Sequence, residues 1–379
     1  MYKNKHFRLI HFITILCLTI LFCFSSAFAQ EEDDLNETLK KLSGDAAKSY
    51  VGPMGSAFGA DLNGGWFHKA PPAKLFGFNF EVGLAVMGAF IPDAEKTFVT
   101  SGDFRFNRVQ AEELTEFIYT DPQYTYLTTT QKQELQDLVI DEMITQDFSV
   151  GISGPTIVGK KDENIKVEFS GDDFTVTDPS TQMQINVDVP AEEIELPVGG
   201  LLDDIALLPL AAPQFSIGRI YGTRFTLRYL PSMEINEELG KIDYIGFGLQ
   251  HNPGVWLKNP LPIDLALCYY TQTLKVGDVF EAKSTAFGIN FSKQLGLRML
   301  NITPYGGFMF VSSKMSVSYD YNIDTPTGSS TQRIDFELEG ENKTRFTFGI
   351  GIRLLTFNLN ADYNISKFNS VSAGLFFAF

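Results

Sequence analysis

The sequence predicts an all-β transmembrane fold: an antiparallel outer-membrane β-barrel of about 12 strands, in the range of about 8–14, with a small α+β insert. Three observations predict it. The C-terminal residues alternate and stop on phenylalanine, the C-terminal half repeats that alternation in long segments, and the N-terminus reads as a secretory leader.

In Val371–Phe379 one parity is wholly apolar, carrying Val371, Ala373, Leu375, Phe377 and Phe379. The other carries Ser372 and Gly374 but also Phe376 and Ala378, so the alternation is imperfect. Such an ending resembles the closing strand of outer-membrane barrels, with Phe379, Phe377 and Leu375 as the signal read by the barrel-assembly machinery. Upstream, Phe357, Leu359, Ala361, Tyr363 and Ile365 alternate with Asn358, Asn360, Asp362 and Asn364. Phe346, Phe348, Ile350 and Ile352 alternate with Arg345, Thr347, Gly349, Gly351 and Arg353, and two further series centre on Leu265–Tyr269 and Phe287–Phe291. Segments are expected at 215–230, 241–251, 262–273, 283–294, 302–319, 343–354, 356–365 and 370–379. Most approach the roughly 9–11 residues that a tilted membrane strand needs. A tight break at Leu354–Thr356 and a long polar loop over 320–342 give the asymmetric connections of such barrels. A soluble β-sandwich also alternates, and composition alone does not separate the two.

Residues 1–29 read as a cleaved signal peptide: Lys3, Lys5 and Arg8, an apolar Leu9–Phe24, then Ala27-Phe28-Ala29. Beyond it no run of about 18 apolar residues follows, which argues against membrane helices. Cys268 is then the only cysteine left, so no internal disulfide forms. The net charge of −16 makes the chain a poor nucleic-acid partner; membrane lipid is the expected partner instead.

Residues 92–200 hold 22 acidic against 7 basic residues and read as an acidic α+β insert between an early barrel strand at 76–91 and the main barrel at 201–379. Thr130 and Gln133 resemble a capping box that opens a helix presenting Leu135, Leu138, Val139 and Met143. A shorter helix is expected over 110–119 and short strands over 165–169, 174–177 and 183–189. The acidity is either a solvated surface or a cation site, with Asp172, Asp173 and Asp178 as candidates, although no EF-hand spacing is present. Residues 30–75 are an N-terminal arm or hatch; the small residues of 50–70 suit either close packing in the barrel mouth or a flexible leader to a first strand.

The arm, Lys74–Phe80, Gly222–Pro231 and Thr303–Gly307 resemble an uncharacterised outer-membrane barrel group of Bacteroidota and, more distantly, the long-chain fatty acid outer-membrane transporters. The transporter resemblance implies a hatch-plugged barrel that binds a hydrophobic ligand and releases it laterally through the wall. The Asn-Pro-Ala element of that hatch is absent; Gly52–Gly59 is its approximate counterpart, and the acidic insert lies outside the likeness.

Candidate lumen-lining residues on the polar parities are Arg224, Arg228, Arg345, Arg353, Asn358, Asn360, Asp362 and Asn364. They suit a water-filled pore or an internal ion-pair network equally. His68 and His251 are the histidines outside the leader, with no ligand spacing for a metal, so neither cofactor nor enzymatic activity is expected. Cys268 reads as a small lumen filler. The leading function is passive transport of a small hydrophobic solute; the alternative is a barrel that anchors the insert as an interaction or assembly platform.

Overall fold

A strand with apolar and polar parities has two unlike faces, and closing a sheet of such strands satisfies every backbone hydrogen bond while sorting those faces. The computed structural model describes residues 44–379, apart from 178–183, 237–239, 259–260, 278, 298 and 326–327. The expected leader and Asp178 lie outside the described residues.

Helix α1 (Gly44–Asn63) precedes strand β1 (Asn79–Phe90). The insert follows, with β2 (Thr97–Phe104), α2 (Arg108–Thr115), α3 (Thr129–Met143), β3 (Phe148–Pro155), β4 (Ile165–Phe169), β5 (Asp172–Thr177), β6 (Gln184–Val189) and β7 (Glu192–Leu196). The chain returns through β8 (Leu207–Ile220), β9 (Thr223–Asn236), β10 (Gly240–His251), β11 (Asp264–Val276), β12 (Phe280–Ser292) and β13 (Leu295–Leu297). It ends with β14 (Leu300–Thr325), β15 (Gly328–Glu339), β16 (Thr344–Leu354), β17 (Phe357–Ile365) and β18 (Ser370–Ala378).

Ten strands close a ring in the order β1-β8-β9-β10-β11-β12-β14-β16-β17-β18, and β18 returns to β1 in antiparallel register from Glu81↔Ala378 to Ala89↔Ser370. The backbones of Phe80 and Phe379 extend that ladder. Strands β13 and β15 stand outside the ring, each paired with β14. Two expectations are corrected. Residues 215–230 are parts of two strands, because Tyr221 (φ 49°) and Gly222 (φ 65°) both turn the chain back. The stretch 320–342 is largely not a loop: β14 runs on to Thr325 and pairs with β15 from Lys314↔Glu339 to Thr325↔Gly328.

Outward-facing residues form an apolar band that includes Phe225, Phe247, Leu267, Phe287, Phe348 and Leu375, all exposed. Towards the insert the same faces become polar: Phe308 and Phe310 give way to Ser312 and Lys314 on β14, and Ile289 and Phe287 to Thr285 and Lys283 on β12. The band therefore sits near the mouth where the C-terminus lies, with Phe76, Phe78, Tyr221 and Trp256 exposed at its rim. Beyond the band the longer strands carry the insert. Phe376, the residue that broke the terminal alternation, faces inward and stacks on His68 with ring centroids 5.3 Å apart. No described helix is long and apolar enough to cross a membrane.

The insert contains a four-stranded sheet, β2-β3-β4-β7, and a β5–β6 hairpin. Its core is aromatic, with Phe106 and Phe148 each meeting Phe169 edge-on at 5.3 and 5.4 Å. The capping box of α3 is Thr128 with Gln131, two residues earlier than the sequence pattern suggested, and α2 has its own box, Asn107 with Gln110. Leu135, Val139 and Met143 are buried as expected, and Leu138 packs against the same core. Lys96 contacts Asp93 at 3.0 Å and Asp204 at 2.6 Å, tying the segment that leaves the barrel to the one that returns.

Ring closure depends on Gly83, opposite Phe376 in the β1–β18 ladder: a Cβ there would stand 2.0 Å from the Leu375 carbonyl oxygen and 2.7 Å from Phe376 Cα. Backbone atoms cannot step aside, so Gly83→Val is expected to destabilise closure by about 1–3 kcal/mol or more. The expected readout is a reduced fast-migrating, folded band on unheated gels, whereas Val82→Ala on the outer face leaves that band intact.

Candidate functional site in the barrel interior

Helix α1 enters the barrel from the insert side and fills it. Its glycine- and alanine-rich sequence is a poor helix former in water, but low bulk is what a narrow lumen admits. A Cβ on Gly59 would come within 2.0 Å of Ser313 Oγ, and one on Gly55 would meet Leu338 Cβ at 3.4 Å. The first half of α1 joins the insert core through Tyr50, whose hydroxyl donates to the Gly199 carbonyl at 2.9 Å. The second half ends among barrel residues, where Leu62 packs with Met87, Ala212 and Leu230.

After α1 the chain crosses the lumen through Trp66, Phe67, His68 and Lys69. Trp66 stacks on Tyr270 at 5.0 Å and lies under the Arg228 guanidinium at 4.1 Å. Gly246 and Gly248 on β10 leave room for its indole, since a Cβ on either would come within 3.1 Å of that ring. Gly307 makes the same recess for Phe67 at 2.8 Å. These glycines serve the plug rather than the turn of a strand.

Polar groups of the wall bond to the plug backbone. Arg228 donates to the Gly64 carbonyl at 2.8 Å and to Gln214 Oε1 at 3.0 Å. Arg345 donates to the Asn63 carbonyl, Gln250 to Lys69 at 3.1 Å and Asn252 to Pro71 at 2.8 Å, while Ser292 Oγ accepts from the Ala70 amide at 2.9 Å. At the centre of a second cluster is Glu81 on β1, fully buried. Its carboxylate is paired with Arg224 and Lys69, lies 3.3 Å from His68 Nε2, and accepts from Asn358 at 3.2 Å. A third group links Tyr305 to Asp362 at 2.9 Å, Asn364 to Asp362 at 2.8 Å, Thr347 to Asn364 at 2.7 Å and Asn360 to Tyr305 at 3.4 Å. Asp61, buried on α1, has no hydrogen-bond partner for either carboxylate oxygen among the described residues.

Seven of the eight lumen residues singled out by sequence parity, Arg224, Arg228, Arg345, Asn358, Asn360, Asp362 and Asn364, are thus buried inside the ring; Arg353 is half-buried at the C-terminal mouth, bonded to the carbonyls of Leu355 and Ala378. They meet plug and wall groups rather than an open channel. Cys268 is buried inward, its thiol 3.3 Å from Asn290 Oδ1. His251 shares a hydrogen bond with Thr223 at 2.9 Å and packs on Trp256. Asp172 and Asp173 open β5 in the insert, away from this interior. Parity reading overlooked Glu81, Gln214, Tyr270 and Tyr305; the available signal was a lone acid on the inward parity of an otherwise apolar first strand.

The wall itself has a discontinuity. Strand β8 pairs with β1 from Asn79↔Gly218 to Phe90↔Leu207. With β9 it pairs from Ile220↔Thr223 to Gln214↔Arg228 and no further among the described residues, although both strands continue. Pro209 and Pro213 occupy the unpaired half of β8 and have no N–H to donate. Opposite, β9 bulges at Pro231–Ser232 against β10. Behind this seam lie Leu210, Ala212, Leu230, Leu62, Met87 and Phe58, an apolar layer between wall and plug.

A closed antiparallel ring, apolar outside and polar within, defines a β-barrel of the outer-membrane type. The chain belongs to a family of unknown function, DUF6588, whose model matches residues 5–379. No curated protein matches it. Similar solved structures include the N-terminal β-barrel domain of Pseudomonas aeruginosa OprF, at 16% identity over 41% of this chain and 94% of that one, with a TM-score of 0.19. Another is a loop-deletion mutant of OmpT, an outer membrane protein of Vibrio cholerae, at 10% identity over 81% and 100% of the two chains, TM-score 0.22. At these scores the likenesses add nothing to the geometry, and the link to fatty acid transporters or to Bacteroidota rests on sequence resemblance alone.

Removing the Glu81 carboxylate leaves buried Arg224 and half-buried Lys69 without their acid. Glu81→Ala is expected to cost about 3–5 kcal/mol, the usual penalty for breaking a buried pair, read as a lower urea midpoint for unfolding from lipid vesicles.

Proposed function

We propose that this protein is an outer-membrane barrel closed to free diffusion by α1, which passes a small apolar solute sideways through the β8–β9 seam when α1 shifts. The lapse of pairing beyond Gln214↔Arg228, backed by an apolar layer, is the observation that carries the reading. Leu210, Ala212 and Leu230 back the seam with carbon, so an apolar molecule is favoured there. The resemblance to long-chain fatty acid transporters points to the same solute class. In this reading a leader at 1–29 directs export, and the assembly machinery reads Phe379, Phe377 and Leu375. The turns at 221–222 and 355–356 face the periplasm, and the insert faces outward. No enzymatic role and no cofactor belong to it.

A second reading is supported by the core that α1 shares with the insert: the barrel is an anchor, and the insert is a docking platform.

A reversible clamp separates the two. The Cβ position of Gly55 lies 3.4 Å from that of Leu338, close to the roughly 3.5–4.5 Å of a disulfide. With Gly55→Cys and Leu338→Cys, oxidation is expected to reduce uptake of an apolar fluorescent probe by cells or proteoliposomes to the level without protein, and reductant to restore it. Uptake unchanged with the clamp formed would contradict transport and favour the platform.

A further inference from the structure

At the C-terminal mouth, on the far side of the plug from the insert, lies a cleft of about 670 Å³. That is the size of a small-molecule site, but its chemistry is opposite to that of the seam. Lys69 and Lys74 reach it from the plug segment, Arg224 from β9 and Arg353 from β16, while Asn301 and Thr303 on β14 line the far wall. Arg224, Asn301 and Thr303 are each more than nine-tenths buried, so these groups are held in place by the fold rather than free in solution.

The charges do not cancel. Glu81 beneath the cleft is a single carboxylate already shared by Arg224 and Lys69. Arg353 bonds to backbone carbonyls, which carry no countercharge, and Lys74 is exposed. Asp264 is the acid on the lining. The terminal carboxylate of Phe379, which accepts from Asn79 on the lining at 3.3 Å, is a third acid, so four cations face three acids, in a chain whose net charge is −16 and whose insert at the other end is strongly acidic. The acidity of the insert disfavours anions at the opposite mouth, whereas the cations of the lining gather at this one.

We infer that this cleft is a binding site for an anion, a small molecule or headgroup bearing phosphate or carboxylate, held by Lys69, Lys74, Arg224 and Arg353. Asn301 and Thr303, bonded to each other at 3.2 Å, form the polar wall beside these cations. The cleft opens beside the exposed rim residue Phe78, so the same chemistry has two sources: a soluble anion from the adjoining compartment, or an anionic phospholipid of the adjoining leaflet.

The full-length protein in detergent is titrated calorimetrically with inorganic phosphate and with citrate at constant ionic strength. In parallel, nanodiscs of phosphatidylglycerol and of phosphatidylcholine are compared for lipid retained on the protein by native mass spectrometry. Saturable binding of phosphate or citrate assigns the site to a soluble anion; selective retention of phosphatidylglycerol assigns it to a headgroup. Either is expected to weaken about tenfold or more in Arg353→Gln and in Lys74→Gln, each losing a charge-assisted bond. In the wild-type protein it weakens further as sodium chloride is raised. No saturable binding of any probe, binding undiminished in both folded variants, or salt-insensitive binding would overturn the assignment.

Discussion

A carboxylate with no access to solvent, Glu81, sets how the interior is built. An isolated buried carboxylate is too costly to persist, so its partners must be present wherever the fold is. Two come from the plug, Lys69 and His68, and two from the wall, Arg224 and Asn358. The first strand of the barrel is thus bound to the segment that immediately precedes it and to strands reached much later in the chain. Plug and wall meet at this carboxylate: Arg224 of the wall already matches its charge, and Lys69 adds a second cation from the plug.

The same coupling runs the length of α1. Its outer half is part of the insert core, its inner half leads to the indole that Arg228 covers, and its small side chains let it fit within ten strands. A barrel of this size has room for side chains or for a helix, not for a helix beside an aqueous channel. Of the wall residues that would line a pore in a wider barrel, Arg228 and Arg345 here bond the plug backbone while Arg224 and the asparagines bond buried side chains of the wall, and the unladdered stretch between β8 and β9 is backed by carbon.

Much of this was legible in the sequence. Period-two runs after residue 240 located β10, β11, β12, β16, β17 and β18 to within a few residues, because one-sided burial leaves a parity that any reader can count. Three insert strands, β4, β5 and β6, and the two insert helices were readable for a similar reason, whereas β2, β3 and β7 were not. Other features were not, among them the polar stretch 320–342, which reads as a loop and pairs as β14 with β15. Tyr221-Gly222 lacks the Asn-Gly signature of a tight hairpin, so β8 and β9 merged into one segment. The region Gly44–Asn63, with its glycines and Pro53, has no helix-forming pattern; its helicity comes from confinement in the lumen, which only tertiary structure supplies. Inward parity places the arginines and asparagines on one face, but which of them meet a plug depends on where Trp66 lies, and glycines at 246, 248 and 307 are visible only as small residues.

The central claim, a lumen shut by its own N-terminal segment, is tested most directly by single-channel recording of the purified protein in planar bilayers. With insertion verified by protection from protease, no stepwise current is expected from the intact chain, while a form lacking residues 44–70 conducts. Stable open steps from the intact protein would contradict the account and make the arginine and asparagine clusters the walls of a permanent pore.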